Sequence, residues 1–85
     1  MNYTVTYKPS AEQELADIWM NAPNRQAVTE AAHRIDFLLK TKPHEQGESR
    51  DGNTRIMFER PLAVDFEIHD EDCRVEVLKV AWIGE

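Results

Sequence analysis

The sequence predicts an α+β protein with the element order β-α-α-β-β-β, in which a helical hairpin packs on one face of a small, mostly antiparallel sheet. Three patterns support this fold class. Apolar residues alternate with polar ones near the start, recur at helical spacing in the middle, and alternate again after residue 54. A chain of 85 residues has room for one hydrophobic core, so we expect a single domain over residues 1–85.

The first two predicted elements are a short strand and a helix. Tyr3, Val5 and Tyr7 alternate with polar residues, which is the period of a strand. Pro9 ends this strand because proline has no backbone N–H to donate. Ser10 is the expected N-cap of the following helix. We expect the apolar face of that helix to pack in the core, and it comprises Ala11, Leu15, Ile18 and Trp19.

The second helix has the clearest pattern in the chain. It follows a break at residues 21–24, and its apolar residues recur every three or four positions: Val28, Ala31, Ala32, Ile35, Leu38 and Leu39. Lys40 and Lys42 lie where positive charge complements the helix dipole, and Pro43 stops the helix. Two amphipathic helices joined by a short break form a helical hairpin.

A polar loop over residues 44–53 leads to three predicted strands. The first covers residues 54–59 and ends in a turn at Arg60-Pro61. The second, over residues 62–69, has one apolar face and one polar face. The last covers about residues 73–83 and is apolar on both faces, which is typical of a strand in the interior of a sheet.

Composition and charge limit the classes of function. Cys73 is the only cysteine, so no internal disulfide can form, and this suits a reducing cytosol. The sequence lacks the pattern of a signal peptide and any apolar run near the ~20 residues of a membrane span. We therefore expect a cytoplasmic protein with no membrane partner. The formal charge of −6 argues against general nucleic-acid binding, although it leaves room for a local basic patch.

Three stretches, taken in order, resemble the RelE/ParE toxins of bacterial toxin–antitoxin modules, a family also linked to plasmid stabilisation. They are residues 3–12, residues 38–50 and residues 74–82. The resemblance implies one of two activities. RelE-like members are ribosome-dependent mRNA interferases that need no metal, and ParE-like members act on DNA gyrase. The resemblance also implies a cognate antitoxin, and it implies no cofactor and no metal.

A ribonuclease of this kind must deprotonate a 2′-hydroxyl, balance the charge of the phosphorane and protonate the leaving oxygen. Basic side chains suit the second task, because they bind phosphate oxygens. The candidate catalytic residues are Arg50, Arg55, Arg60 and Lys79. We expect Arg55 and Lys79 on the open face of the sheet. The alternative is that all four are solvated cations paired with nearby acidic residues.

The sequence also departs from the RelE pattern. Ala63 stands where many RelE-like toxins have an arginine, and Trp82 and Ile83 stand where they often have His, Tyr or Arg. Asp65 and Glu67 share a face with Ala63, where carboxylates repel phosphate. The alternative function is therefore a catalytically degenerate toxin-fold protein that engages only an antitoxin-like partner, or itself as a homodimer.

Three further positions have two interpretations each. His44 and Glu48 form a possible acid–base pair in one loop, although exposed loop residues are more often simply solvated. His69, followed by acidic residues, suggests a metal ligand less than it suggests the tip of a hairpin. Trp82 is either a core residue or a contact for a partner.

Overall fold

The computed structural model describes residues 2–84 and consists of a five-stranded mixed sheet with two helices. The elements are β1 (Thr4–Tyr7), α1 (Pro9–Asn21), α2 (Arg25–Thr41), β2 (Glu48–Ser49), β3 (Thr54–Glu59), β4 (Leu62–His69) and β5 (Arg74–Trp82). Short 3-10 turns, Pro43–Glu45 and Asp70–Asp72, follow α2 and β4. The strand order is β1-β5-β4-β3-β2, with β1 parallel to β5 and the other pairs antiparallel.

This architecture confirms the predicted fold class and element order. The last strand, β5, lies between β1 and β4, as its two apolar faces indicated. The sequence did not indicate β2, which pairs two residues of the predicted polar loop with β3. Between residues 2 and 84 no helix combines the length and apolar character needed to cross a membrane.

Helix α1 begins earlier than its sequence indicated. Its N-cap is Lys8, whose carbonyl accepts a hydrogen bond of 2.9 Å from the backbone N–H of Glu12. Pro9 occupies the first helical turn, where the missing N–H costs nothing and the fixed φ favours a helix. The prediction of Ser10 as the N-cap was wrong, because Pro9 starts the helix as well as ending the strand.

Helix α2 begins and ends on local hydrogen bonds. The side chain of Asn24 accepts a 3.2 Å hydrogen bond from the backbone N–H of Ala27. At the other end, the N–H of Lys42 donates to the carbonyl of Leu38 at 2.8 Å. The predicted apolar face forms the buried side of the helix, and its buried members are Val28, Ala31, Ile35 and Leu39.

The sheet has two unlike faces. The helix-side face carries the core, whose members on the two central strands include Val64, Phe66, Val75, Val77 and Val80. Phe66 is fully buried and is the largest of the fully buried side chains. The opposite surface, which we call the open face, carries the alternate residues of the same strands. Within the described residues, all side chains that are fully buried are apolar.

A bulge in β5 sets which residues lie on which face. The pairing of β4 with β5 shifts between Asp65 and Phe66, so that Asp65 lies opposite Lys79 and Phe66 lies opposite Val77. Leu78 is therefore an extra residue on β5. The bulge returns the strand beyond it to the helix-side face, which explains why Val77 and Val80 are both buried in the core.

The two tryptophans are both partly exposed. Trp19 is 41% exposed, so its prediction as a core residue was wrong. It packs on the start of α2 instead, where its indole N–H donates to Thr29 at 3.0 Å and its ring lies 4.8 Å from the guanidinium of Arg25. Trp82 is 40% exposed and borders Ala22 in the turn between the helices, which favours the partner-contact interpretation over the core one.

The loop before β2 depends on a glycine. Gly47 has a φ of +66°, and a Cβ at this position would overlap the backbone carbonyl of Ile56. Gly52 has a similar φ of +55°, but a Cβ there would point into open space. We predict that Gly47→Ala lowers the free energy of unfolding by about 1–3 kcal/mol more than Gly52→Ala, because only Gly47→Ala adds steric overlap.

Urea unfolding of the two variants checks this prediction. Both substitutions carry the cost of a left-handed backbone for alanine, about 1–2 kcal/mol, so their difference isolates the overlap. Equal stability of the two variants would contradict it.

Candidate functional site

The predicted catalytic residues lie in separate parts of the structure. Arg50 is exposed in the turn before β3, where its backbone N–H donates to the carbonyl of Thr54 at 2.8 Å. Arg60 lies in the turn after β3, beyond the other end of the same strand. Because a strand rises about 3.3 Å per residue, the two ends of this six-residue strand are about 17 Å apart. The backbone positions of the two arginines are therefore separated by the whole length of β3.

Arg55 and Lys79 lie on opposite faces of the sheet. Arg55 is the cross-strand neighbour of Phe66 and shares its helix-side face. Its guanidinium donates to the backbone carbonyls of Gln46 at 3.0 Å and Gly47 at 3.1 Å. Lys79 is exposed on the open face, opposite Asp65. The expectation that Arg55 lies on the open face was wrong, because the strand period places it with Phe66.

Arg60 is held at the end of the sheet by contacts with the backbone and with a neighbouring ion pair. Its Nη1 donates to the carbonyl of Gly84 at 3.4 Å, and its own carbonyl accepts from Nη2 of Arg34 at 3.4 Å. Arg34 also forms a 2.7 Å ion pair with Glu59. The four candidates are thus divided among two loops and two sheet faces, and their catalytic role stays a prediction.

The open face is built from rows of cross-strand neighbours, since residues directly opposite one another point the same way. The first row is apolar and consists of Phe58, Ala63 and Ala81. The second consists of Glu48, Ile56, Asp65 and Lys79. The third contains Thr54, Glu67, Glu76 and Thr6. The fourth contains His69, Arg74 and Thr4.

These rows disfavour the binding of a polyanion. On β4 and β5 the open face carries three carboxylates and two permanent cations: Asp65, Glu67, Glu76, Arg74 and Lys79. The apolar row is the place where the RelE resemblance implied an arginine, and alanines fill it. Phosphate binding requires a surplus of Lys and Arg, which this face lacks.

His44 contacts a different carboxylate from the one that the sequence suggested. Its Nε2 lies 2.8 Å from Oδ1 of Asp70, and the hydroxyl of Tyr3 donates to the same oxygen at 2.8 Å. The hydrogen bonds from His44 and then Tyr3 lower the pKa of Asp70, and the bond to Asp70 raises the pKa of Tyr3. The proposal of Glu48 as the partner of His44 was wrong. Asp70 lies 26 positions from His44 in the chain, so local sequence spacing could not indicate this contact.

This trio ties together the start of β1, the turn after α2 and the turn before β5. An imidazole oriented by a carboxylate is a possible general base. His44 and Asp70 are exposed, and Tyr3 is half-buried against the core. None of the three forms a described hydrogen bond with a candidate arginine, so a structural role explains them more simply.

A groove is lined by residues of both helices of the hairpin and by Tyr7 of β1. This hairpin groove has a volume of about 630 Å³, and its apolar lining includes Leu15, Ala16, Trp19, Met20, Val28 and Ala32. Met20 is 64% exposed. Acidic Glu12 and Asp36 also line the groove. Beside them the hydroxyl of Tyr7 donates to Asp36 at 2.8 Å, and burial, followed by the charge of Asp36, raises the pKa of Tyr7.

Comparison with solved structures identifies the fold. The chain superposes on the toxin–antitoxin complex RelBE2 of Mycobacterium tuberculosis with a TM-score of 0.79, covering 100% of this chain and 95% of that chain at 17% identity. The chain has the RelE/ParE toxin fold. A chain of the chromosomal ParDE system of P. aeruginosa gives a TM-score of 0.74 at 15% identity, with 95% and 96% of the two chains covered.

The same fold is shared across distant organisms. The archaeal RelE–RelB complex from Pyrococcus horikoshii gives a TM-score of 0.69 at 14% identity, covering 100% of this chain and 99% of that chain. No protein-family model matches the chain. No curated protein matches it either. The toxin fold is therefore retained in a sequence that differs at most positions from these structures.

The Asp70 contacts predict a pH dependence of stability. The folded pKa of Asp70 lies below its ordinary value of 3.8, so this stabilisation is present above pH ~4 and is lost as the pH falls through the folded value. We predict that the wild type loses more stability between pH 6 and about pH 2.5 than Asp70→Asn does. Thermal unfolding at both pH values measures the difference.

Asp72→Asn, in the same turn, is the matched control and should behave like the wild type. An identical loss of stability in the wild type and in Asp70→Asn would contradict the role of these hydrogen bonds.

Proposed function

We propose that the chain is the toxin-fold component of a bacterial type II toxin–antitoxin module, and that it acts by binding and not by cutting RNA. The observation that carries this proposal is the hairpin groove, an exposed apolar surface on a toxin fold. The RelBE structure from Mycobacterium tuberculosis to which the chain is similar is a toxin–antitoxin complex. The same proposal places the chain in the cytoplasm, where such a module acts.

The groove fits an amphipathic helix of an antitoxin. A partner helix binds a groove of this kind by placing apolar residues at helical spacing against it. Trp19 and Met20 supply exposed apolar area to the lining of this groove. Glu12 and Asp36, together with a net charge of −6, favour a partner segment rich in Lys and Arg.

RNA cleavage has less support, because the four candidate cations are separated and the open face carries more carboxylates than permanent cations.

Inhibition of a target such as DNA gyrase requires a binding surface and no catalytic cluster. The remaining alternative is a protein that binds only its antitoxin or a second copy of itself. Growth of a host that expresses the chain distinguishes inhibition of a cellular target from binding to an antitoxin or to itself alone. Only a protein with a cellular target arrests growth.

We predict that induced expression arrests bacterial growth and that co-expression of the antitoxin restores it. We expect the antitoxin to be the product of a small neighbouring gene that encodes a DNA-binding domain with a disordered tail. Met20→Glu should prevent rescue and weaken the complex by about 100-fold or more, because it places a charge in the apolar groove. Growth curves and calorimetry of the purified pair measure the two effects.

Phe37→Glu is the matched control. Phe37 is also 64% exposed but lies outside the residues that line the groove. Rescue should survive this substitution. Rescue that survives Met20→Glu would place the antitoxin elsewhere, and normal growth with the wild type alone would favour the alternative without a cellular target.

We also predict that the arrest involves no cleavage of mRNA. Ribosomes translating a reporter message should give no new RNA ends with the wild type when primer extension maps them. Arrest should persist in each of four single alanine variants, at Arg50, Arg55, Arg60 and Lys79. Cleavage that appears with the wild type and disappears in Arg55→Ala would instead establish RNA cleavage that depends on Arg55.

A further inference from the structure

Three metal-ligating side chains converge on the open face. Glu67 and Glu76 are direct cross-strand neighbours on β4 and β5. His69 lies two residues beyond Glu67 on the same strand and therefore on the same face. Its Nε2 is 3.6 Å from Oε1 of Glu67 and 3.8 Å from Oε1 of Glu76. One ligand atom from each residue lies within 4.8 Å of the other two.

Two features of this cluster favour the binding of a cation. Like charges directly opposite each other on paired strands destabilise a sheet, and Glu67 faces Glu76 in this way. The Nε2 atom of His69 is also shielded from solvent and has no hydrogen-bond partner within residues 2–84. Both of its distances to the glutamates exceed the length of a hydrogen bond. The ligand atoms of the three side chains therefore lie close together, but His69 forms no hydrogen bond with either glutamate.

Two neighbouring side chains form hydrogen bonds beside the cluster. Arg74, the cross-strand neighbour of His69, donates to the hydroxyl of Thr6 at 3.4 Å. The hydroxyl of Thr54 donates to Oε2 of Glu67 at 3.4 Å, which orients that carboxylate and leaves its Oε1 toward His69. Such outer hydrogen bonds are a regular part of metal sites, because they fix the ligands.

We propose that Glu67, His69 and Glu76 bind one divalent transition-metal ion of the zinc class. Zinc bonds of about 2.0–2.1 Å place tetrahedral ligand atoms about 3.4 Å apart, close to the 3.6 and 3.8 Å separations found here. Imidazole and carboxylate ligands both suit zinc. Three protein ligands leave a fourth position for water or an anionic group.

A bound ion changes the electrostatics of the open face. Its central strands carry three carboxylates and two permanent cations, so a divalent ion converts their formal charge from −1 to +1. The proposal is independent of antitoxin binding, because the hairpin groove and the metal cluster share no residue. Either can fail without the other.

Zinc titration of the chelator-treated chain tests the site. Calorimetry should show one zinc ion per chain for the wild type. Glu67→Gln, His69→Asn and Glu76→Gln should each weaken binding by at least about tenfold, the lower end of the loss that follows removal of even an outer partner of a metal ligand. His44→Asn is the matched control, because it removes a histidine that contacts a carboxylate outside the cluster, and it should bind zinc like the wild type.

A second measurement uses the wild type alone and so does not depend on the folding of any variant. In ¹⁵N NMR spectra of the imidazole rings, zinc should change the Nε2 resonance of His69 and leave those of His33 and His44 unchanged. The proposal is overturned by an absence of zinc binding, by binding that survives all three ligand substitutions, or by spectral changes at the other histidines. The cluster would then be a group of polar side chains that the sheet brings together without a bound metal ion.

Discussion

The pairing of β4 with β5 is the constraint on which both faces of the molecule depend. Phe66 lies opposite Val77 beneath the helices, and Glu67 lies opposite Glu76 on the open face. Side chains alternate along a strand, so a slip of one residue would exchange the two sets and bury the carboxylates. Because of the bulge at Leu78, the apolar side chains in the second half of β5 still face the core. Burial of Phe66 and its apolar neighbours therefore fixes the positions of the charged residues.

This register separates surfaces with different chemistry. The helices cover one face of the sheet and, with Tyr7 of β1, line the hairpin groove. The open face divides into an apolar row at Phe58 and Ala63 and a polar region around Glu67 and His69. The candidate catalytic arginines lie outside these two regions of the open face. Arg55, for example, donates to backbone carbonyls on the helix-side face. Among the described residues, the four candidate cations therefore lie apart from one another, and the apolar surface lies in the hairpin groove.

Sequence patterns predicted the elements well and the contacts between them poorly. The periods of α2 and β4 arise from burial on one side, so they are visible in the chain itself. The packing of Trp19 could not be predicted, because helical spacing does not show whether a residue packs on the sheet or on the other helix. Residues that converge from distant positions, such as His44 and Asp70, leave no local signal. The side of the sheet on which Arg55 lies follows from its partner Phe66, and that pairing required the structure.

We propose that this toxin fold binds its partner in the hairpin groove. An NMR titration of the ¹⁵N-labelled chain with its antitoxin is the sharpest test, because the indole N–H of Trp19 reports from within the groove through its bond to Thr29. We expect a large change in this resonance and in the backbone amides of the groove. An unchanged Trp19 signal, with the changes confined to Phe58, Ala63 and Ala81 on the open face, would contradict it.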